Sequence, residues 1–361
     1  MTIDDFKKQA KQVAVFAFVA ILIFWFSYLW GAGGDETQAV TQVKAFTLIL
    51  WSILLEAMPF VLLGTILSSL IQIFVSQETI LKVLPNNNIL RLIFAAAIGF
   101  VFPICECAIV PVTRGLIKKG MPVGAAIAFM IAAPILNPVV LFSTYNAFPS
   151  MPQMVFYRAV FGFSGAVIIG LIAGKLGKHV LSDSETVPAC GCESSEGCHI
   201  GHGHEHEEHR GHDAAASRKE KIFGTIKQII AHTNLEIKSV GGYLIFGALI
   251  AAFMQMFVPK EMIVSLAQGR VSSIASMMSL AYILSLCSEA DAFIASTFML
   301  RFTAASVLAF LLTGPMIDIK NTFMFFGSFK KKFSIKLIAV ILIVCFALAL
   351  MASFLMGGAN A

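Results

Sequence analysis

Charge is scarce in this chain. Only 13% of its 361 residues are Asp, Glu, Lys or Arg, whereas 58% are hydrophobic, with 32 Phe and a mean hydropathy of +0.83. A soluble domain or a nucleic-acid binder of this length needs far more polar surface, so both are excluded; the net charge of +5 reports loop placement, not an acidic partner. No Gly-rich run ends in Lys-Ser or Lys-Thr, which removes direct use of ATP. The seven cysteines supply no disulfide framework, because Cys105, Cys107, Cys287 and Cys345 lie in apolar segments while Cys190, Cys192 and Cys198 cluster with histidines. No small-residue cleavage site follows the first apolar run, 13–30, so Lys7, Lys8 and Lys11 precede a retained anchor.

What is present is a series of apolar runs. At about 20 residues per crossing the chain has room for about seven to nine spans, with the bilayer as its constant partner. Spans are expected near 13–30, 45–75, 123–147, 153–175, 239–258, 303–327 and 335–356. Two further apolar segments, 89–119 and 272–301, are interrupted by Cys105-Glu106-Cys107 and by Cys287-Ser288-Glu289-Ala290-Asp291. The composition turns polar only between 177 and 237. The expected organisation is therefore an anchor and loop at 1–44, a membrane unit at 45–176, a linker at 177–237 and a second membrane unit at 238–361.

The two membrane units read as one design written twice. The stretch Glu56–Gly64 corresponds to Gly241–Gly247, Cys105-Glu106-Cys107 to Cys287-Ser288-Glu289, and Ala133–Pro138 to Gly314–Asp318, in the same order and at nearly one offset. If the two motif segments are full spans, Lys and Arg divide evenly between the two sides. If each is a re-entrant hairpin, the basic residues collect strongly on one side, which the positive-inside rule prefers. The expectation is an all-α polytopic protein of two inverted repeats, each of three spans plus a re-entrant hairpin, with an extra N-terminal helix. The N-terminus and 177–237 then face the cytosol, and the motif tips meet near the midplane, where broken backbone is tolerated only inside protein or a water cavity.

Acids inside apolar segments cost roughly 2.5–3.5 kcal/mol each even on lenient insertion scales, so they mark function by default. Thiolate with carboxylate is a ligand set for a soft or borderline metal. Cys105, Glu106, Cys107, Cys287, Glu289 and Asp291 are accordingly candidate ligands along a transport path. The plainer reading makes the cysteines small buried hydrophobes and pairs the acids with Arg114 or Arg301. Asn137, between Pro134 and Pro138, and Asp318 with Lys320, after Pro315, read as unwound segments at a gate or path. Glu56 before Pro59 belongs with them, as a gate or a structural hydrogen bond.

The linker carries Cys190, Cys192, Cys198, His199, His202, His204, His206, His209 and His212. Imidazole and thiolate bind zinc and copper ions well, and the Gly-rich, acidic context matches no zinc-finger spacing, pointing to a flexible multi-ion binder.

The string Phe102-Pro-Ile-Cys-Glu-Cys-Ala-Ile-Val-Pro-Val-Thr-Arg-Gly115, followed by Gly120–Pro138, resembles the predicted permease family that includes the organoarsenical efflux permeases. Leu286–Phe293 and Thr313–Lys320 fit the same family. The Cys/His-rich linker is more narrowly similar to the branch regarded as copper and zinc efflux transporters. The resemblance implies export of toxic metal ions across a bacterial inner membrane. The expected activity is thus alternating-access efflux of zinc or copper with proton exchange, without an obligatory cofactor, without enzymatic catalysis and with homo-oligomerisation left open. Two alternatives stand beside it: efflux of trivalent organoarsenicals, and a membrane thiol oxidoreductase using Cys105 and Cys107.

Overall fold

A computed structural model describes residues 36–74, 84–85, 87–101, 106–177, 180–181, 233, 241–255 and 269–357. The expected span at 13–30, Cys105 and every Cys and His named in the linker lie outside the described residues. The regular elements among the described residues are all helices: α1 (Glu36–Phe74), α2 (Asn88–Val101), α3 (Glu106–Lys118), α4 (Val123–Leu136), α5 (Pro138–Ala147), α6 (Gln153–Leu176), α7 (Gly241–Gln255), α8 (Arg270–Leu284), α9 (Asp291–Phe298), α10 (Ala304–Met316), α11 (Ile319–Ser328) and α12 (Lys331–Gly357). Four stretches are long and apolar enough to cross a bilayer: Lys44–Leu70, Val123–Ala147, Gln153–Leu176 and Lys331–Met356.

Both membrane units run through the same series of elements. A long or apolar helix (α1, α7) is followed by a short arm (α2, α8), a helix that starts at the Cys/acid motif (α3, α9), a helix broken by a proline-containing turn (α4 into α5, α10 into α11) and a long closing helix (α6, α12). The breaks match closely. Asn137 separates the 14-residue α4 from the 10-residue α5, and Ile317-Asp318 separates the 13-residue α10 from the 10-residue α11. Pro138 opens α5 without wasting an amide, since the first amides of a helix have no internal partner.

Contacts between the units come in exchanged pairs. Helix α3 packs on α11 while its counterpart α9 packs on α5, α4 meets its own counterpart α10, and α6 meets α12. The motif arms are short: 14 residues of α2 and 13 of α3 extend only about 20 Å each, less than a hydrocarbon core of roughly 30 Å. The arms also find different company, α2 along α4 and α6, and α3 along α1, α4 and α11.

Polarity is distributed as a bilayer demands. Ile343, Phe354 and Leu355 on α12, Phe156 and Val160 on α6, and Leu48 and Leu55 on α1 point outward, while Glu106 and Asp291 of the motif segments are buried. Small residues allow the close approaches: a Cβ on Gly64 of α1 would stand 2.6 Å from the Ala108 Cβ of α3, and one on Gly247 of α7 would stand 2.9 Å from the Lys320 Cα of α11.

Candidate transport site

Four helices begin at the centre of the contacts between the halves, and each begins with a polar residue. Glu106 and Asp291 open α3 and α9 as first-turn acids, and Asn137 and Asp318 cap α5 and α11. The Asn137 carbonyl oxygen of the side chain accepts the Val139 amide at 2.9 Å, and Asp318 accepts the Asn321 amide at 2.6 Å. Helix N-termini carry unpaired amides and a partial positive charge, so carboxylates are held there more cheaply than elsewhere in an apolar interior.

Two charge groups result. In the first, Glu106 is 1% exposed and accepts the Ser288 hydroxyl at 2.8 Å, with Lys320 Nζ 3.6 Å from its other oxygen. The same ammonium lies 3.5 Å from Asp318, which also accepts the Ser285 hydroxyl at 2.7 Å. Ser285 reaches that position from the end of α8, where its backbone turns left-handed with φ of 51°. In the second group Arg158, fully buried in α6, makes a two-pronged pair with Asp291 at 3.0 and 2.9 Å and also donates to the Thr144 hydroxyl at 2.9 Å. Glu106 and Asp291 are therefore each met by a cation from the other half of the chain.

The thiols border the first group. Cys107 is buried beside Glu106 and Lys320, and Cys287 donates to Glu289 at 3.1 Å with the Glu56 carboxyl close by. Glu56 itself is on an exposed part of α1, and Glu289 is half-buried, its backbone carbonyl taken by the Ser143 hydroxyl of α5.

The sequence-expected residues are thus gathered in part. Glu106, Cys107, Asp318 and Lys320 share one cluster and Cys287, Glu289 and Glu56 adjoin one another, whereas Asp291 turns to Arg158 and Asn137 is used as a helix cap. Among the described residues, no three Cys, His, Asp or Glu side chains converge closely enough to enclose a metal ion. The plainer reading pairs the acids with Arg114 or Arg301; Arg301 is exposed, and the cations seen beside Asp291 and Glu106 are Arg158 and Lys320. Arg158 was absent from the candidate residues, although a basic residue inside the apolar run 153–175 is itself a signal. Ser285 and Ser288 carried no signal of their own.

A cleft of about 780 Å³ lies elsewhere, between Asn87, Arg91, Met121, Gly124, Gly174 and Lys175. Gly174 lies about 24 Å along α6 from Arg158, so this cleft opens at the far end of the helix from the polar centre.

Residues 42–354 match the family described as predicted permease. This chain belongs to the predicted permease family. It is 43% identical over 298 residues to the UPF0718 protein YcgR of Bacillus subtilis, covering 82% of this chain and 92% of that protein. It is 38% identical over 308 residues to a Streptococcus mutans protein named as a candidate subunit of a two-component membrane permease complex, covering 84% and 94%. A more distant match, 27% over 124 residues, is the UPF0718 protein YraQ of Escherichia coli, covering 34% of each chain. No solved structure matches. The protein is a membrane permease, a transporter class.

Proposed function

We propose that this permease exports soft or borderline metal cations, zinc or copper, across a bacterial inner membrane by alternating access of two inverted repeats. The observation that carries the reading is the approach of thiols from both halves, Cys107 and Cys287, to the acids Glu106 and Glu289 at the tips of broken helices. A thiol beside a carboxylate loses its proton to bind a soft ion and regains it on release, so metal movement is coupled to protons moving the other way. The short arms α2/α3 and α8/α9 act as re-entrant hairpins whose tips face each other across the interface of the halves. In the cytosolic linker, Cys190, Cys192, Cys198 and the six histidines from His199 to His212 collect the ion.

Trivalent organoarsenicals form the second reading, favoured by the same thiols, because trivalent arsenic bonds to sulfur and makes no use of Glu106. Uptake by inside-out vesicles separates the two. Zinc or copper accumulation lost in Glu106→Gln and in Cys105→Ala/Cys107→Ala supports metal export. Methylarsenite accumulation that needs the cysteines and ignores Glu106 replaces it. The Streptococcus mutans relative is named with a complex, so the assay is run on the purified chain and on native membranes.

A further inference from the structure

We propose that the Lys320 ammonium is a resident stand-in for the cargo: between Glu106 and Asp318 it occupies the seat that a transported cation takes on binding. The proposal rests on the reading above that the cargo is a cation.

The two buried charge groups differ in the way that separates a structural pair from an exchangeable one. Asp291 and Arg158 are balanced one to one, with two short parallel hydrogen bonds in the fixed fork of a guanidinium. Lys320 is a compact point charge on a flexible stem, shared between two carboxylates at 3.5 and 3.6 Å, outside hydrogen-bonding distance of either. Two acids and one ammonium leave the group a formal charge short of neutrality. Burial makes that imbalance expensive unless a proton or a cation arrives.

Acceptors are also left open. Glu106 Oε1 is buried without a hydrogen-bond partner, and so is the side-chain oxygen of Asn321, the residue after Lys320. Ser288 holds Glu106 by its other oxygen, so Oε1 remains available without moving the backbone. The first half has Val139 at the position corresponding to Lys320, which means the repeated fold does not require a cation there. Gly247 seats α7 against the Lys320 backbone, so the side chain, and not the helix, is what can swing away.

An arriving cation would take Glu106, Asp318, the Asn321 oxygen and the neighbouring Cys107, and Lys320 would withdraw. On release Lys320 returns, and the empty carrier never exposes two bare buried carboxylates. The device selects cations over anions and gives the cargo an internal competitor that drives unloading.

The test is thermal unfolding of full-length protein in lipid nanodiscs, titrated with Zn²⁺, reduced copper and Na⁺, for wild type, Lys320→Met and Glu106→Gln. Linker binding is common to all three and cancels in the comparison. Lys320→Met should respond to Zn²⁺ or copper at a concentration lower by about tenfold or more than wild type, because binding no longer has to displace an ammonium. Its vesicle transport should fall, because unloading has lost its competitor. A response at the wild-type concentration or above for every cation overturns the proposal. Should Lys320→Met fail to fold, Glu106→Gln decides: a weaker cation response than wild type supports the proposal, and an unchanged one overturns it. If wild-type vesicles move neither zinc nor copper, the export reading fails alone, since a shifted response of Lys320→Met to any cation tested still identifies the stand-in.

Discussion

Replacing Arg158 by Met should unfold this protein more readily than any other single loss of charge in it. Arg158 is fully buried, and its guanidinium carries both bonds to Asp291, one to Thr144 and a longer one, 3.4 Å, to the Ser288 carbonyl. Removing one member of a buried ion pair costs about 3–5 kcal/mol, because the survivor is left as an uncompensated charge. The bilayer scale gives the same order for a lone acid at depth, about 2.5–3.5 kcal/mol. The expected loss is therefore about 3–5 kcal/mol, a drop of about two to four orders of magnitude in the ratio of folded to unfolded protein. Removing both charges in Arg158→Met/Asp291→Leu should recover most of it, since apolar replacements of a buried pair are often neutral or better. Reversible unfolding in mixed micelles, followed by intrinsic fluorescence, measures all three proteins. A single variant that loses less than about 1 kcal/mol, or a double variant no more stable than the single, refutes the reasoning.

The remaining predictions are simpler. Gly247→Leu should destabilise by about 1–3 kcal/mol by forcing α7 away from α11, while Gly242→Ala on the same helix, which meets nothing within 4 Å, should be neutral or slightly stabilising; the same unfolding assay compares them, and equal effects would sink the close-approach argument. Ser288→Ala removes its hydrogen bond to Glu106 and should cost about 1.5–3 kcal/mol, a loss that Ser288→Thr restores if its hydroxyl keeps the same aim. Exchanging Cys190, Cys192 and Cys198 for Ser and the histidines from His199 to His212 for Asn should lower the zinc bound per chain in equilibrium dialysis at neutral pH. In the native chain that linker binding should fade as pH drops through about 6.5, because protonated imidazole cannot ligate; unchanged stoichiometry would dismiss the linker as a metal collector.

The residues that the sequence identified did so by contrast with their surroundings. Glu106, Asp291, Asp318 and Lys320 stand out against apolar neighbours, and the prolines around Asn137 and Asp318 mark the helix breaks where the structure has them. Helix ends were legible for the same reason: 123–147 and 153–175 were expected, and α4 to α6 occupy 123–136, 138–147 and 153–176. Partners were not legible, because charge pairing depends on how distant helices are set against each other. Asp291 lies 133 residues from Arg158, and nothing local distinguishes Arg158 from Arg114 or Arg301 as its match.

One pairing, however, fits the duplication that the sequence proposes. Ser288 is the counterpart of Glu106 at an offset of 182 residues, and these two residues are hydrogen-bonded to each other. In two inverted repeats, equivalent positions meet only near the axis that exchanges the halves, so under the proposed duplication this contact would mark that axis. An ancestral repeat with an acid at this position would have set two carboxylates within about 3 Å of each other, where both cannot stay ionised. One copy has to become neutral while keeping a donor for the other, which is what a serine opposite a glutamate provides. Under the proposed duplication the most conspicuous difference between the two motifs, Glu in one and Ser in the other, would be the mark of their contact, and it leaves one Glu106 oxygen held by Ser288 and the other without a hydrogen bond.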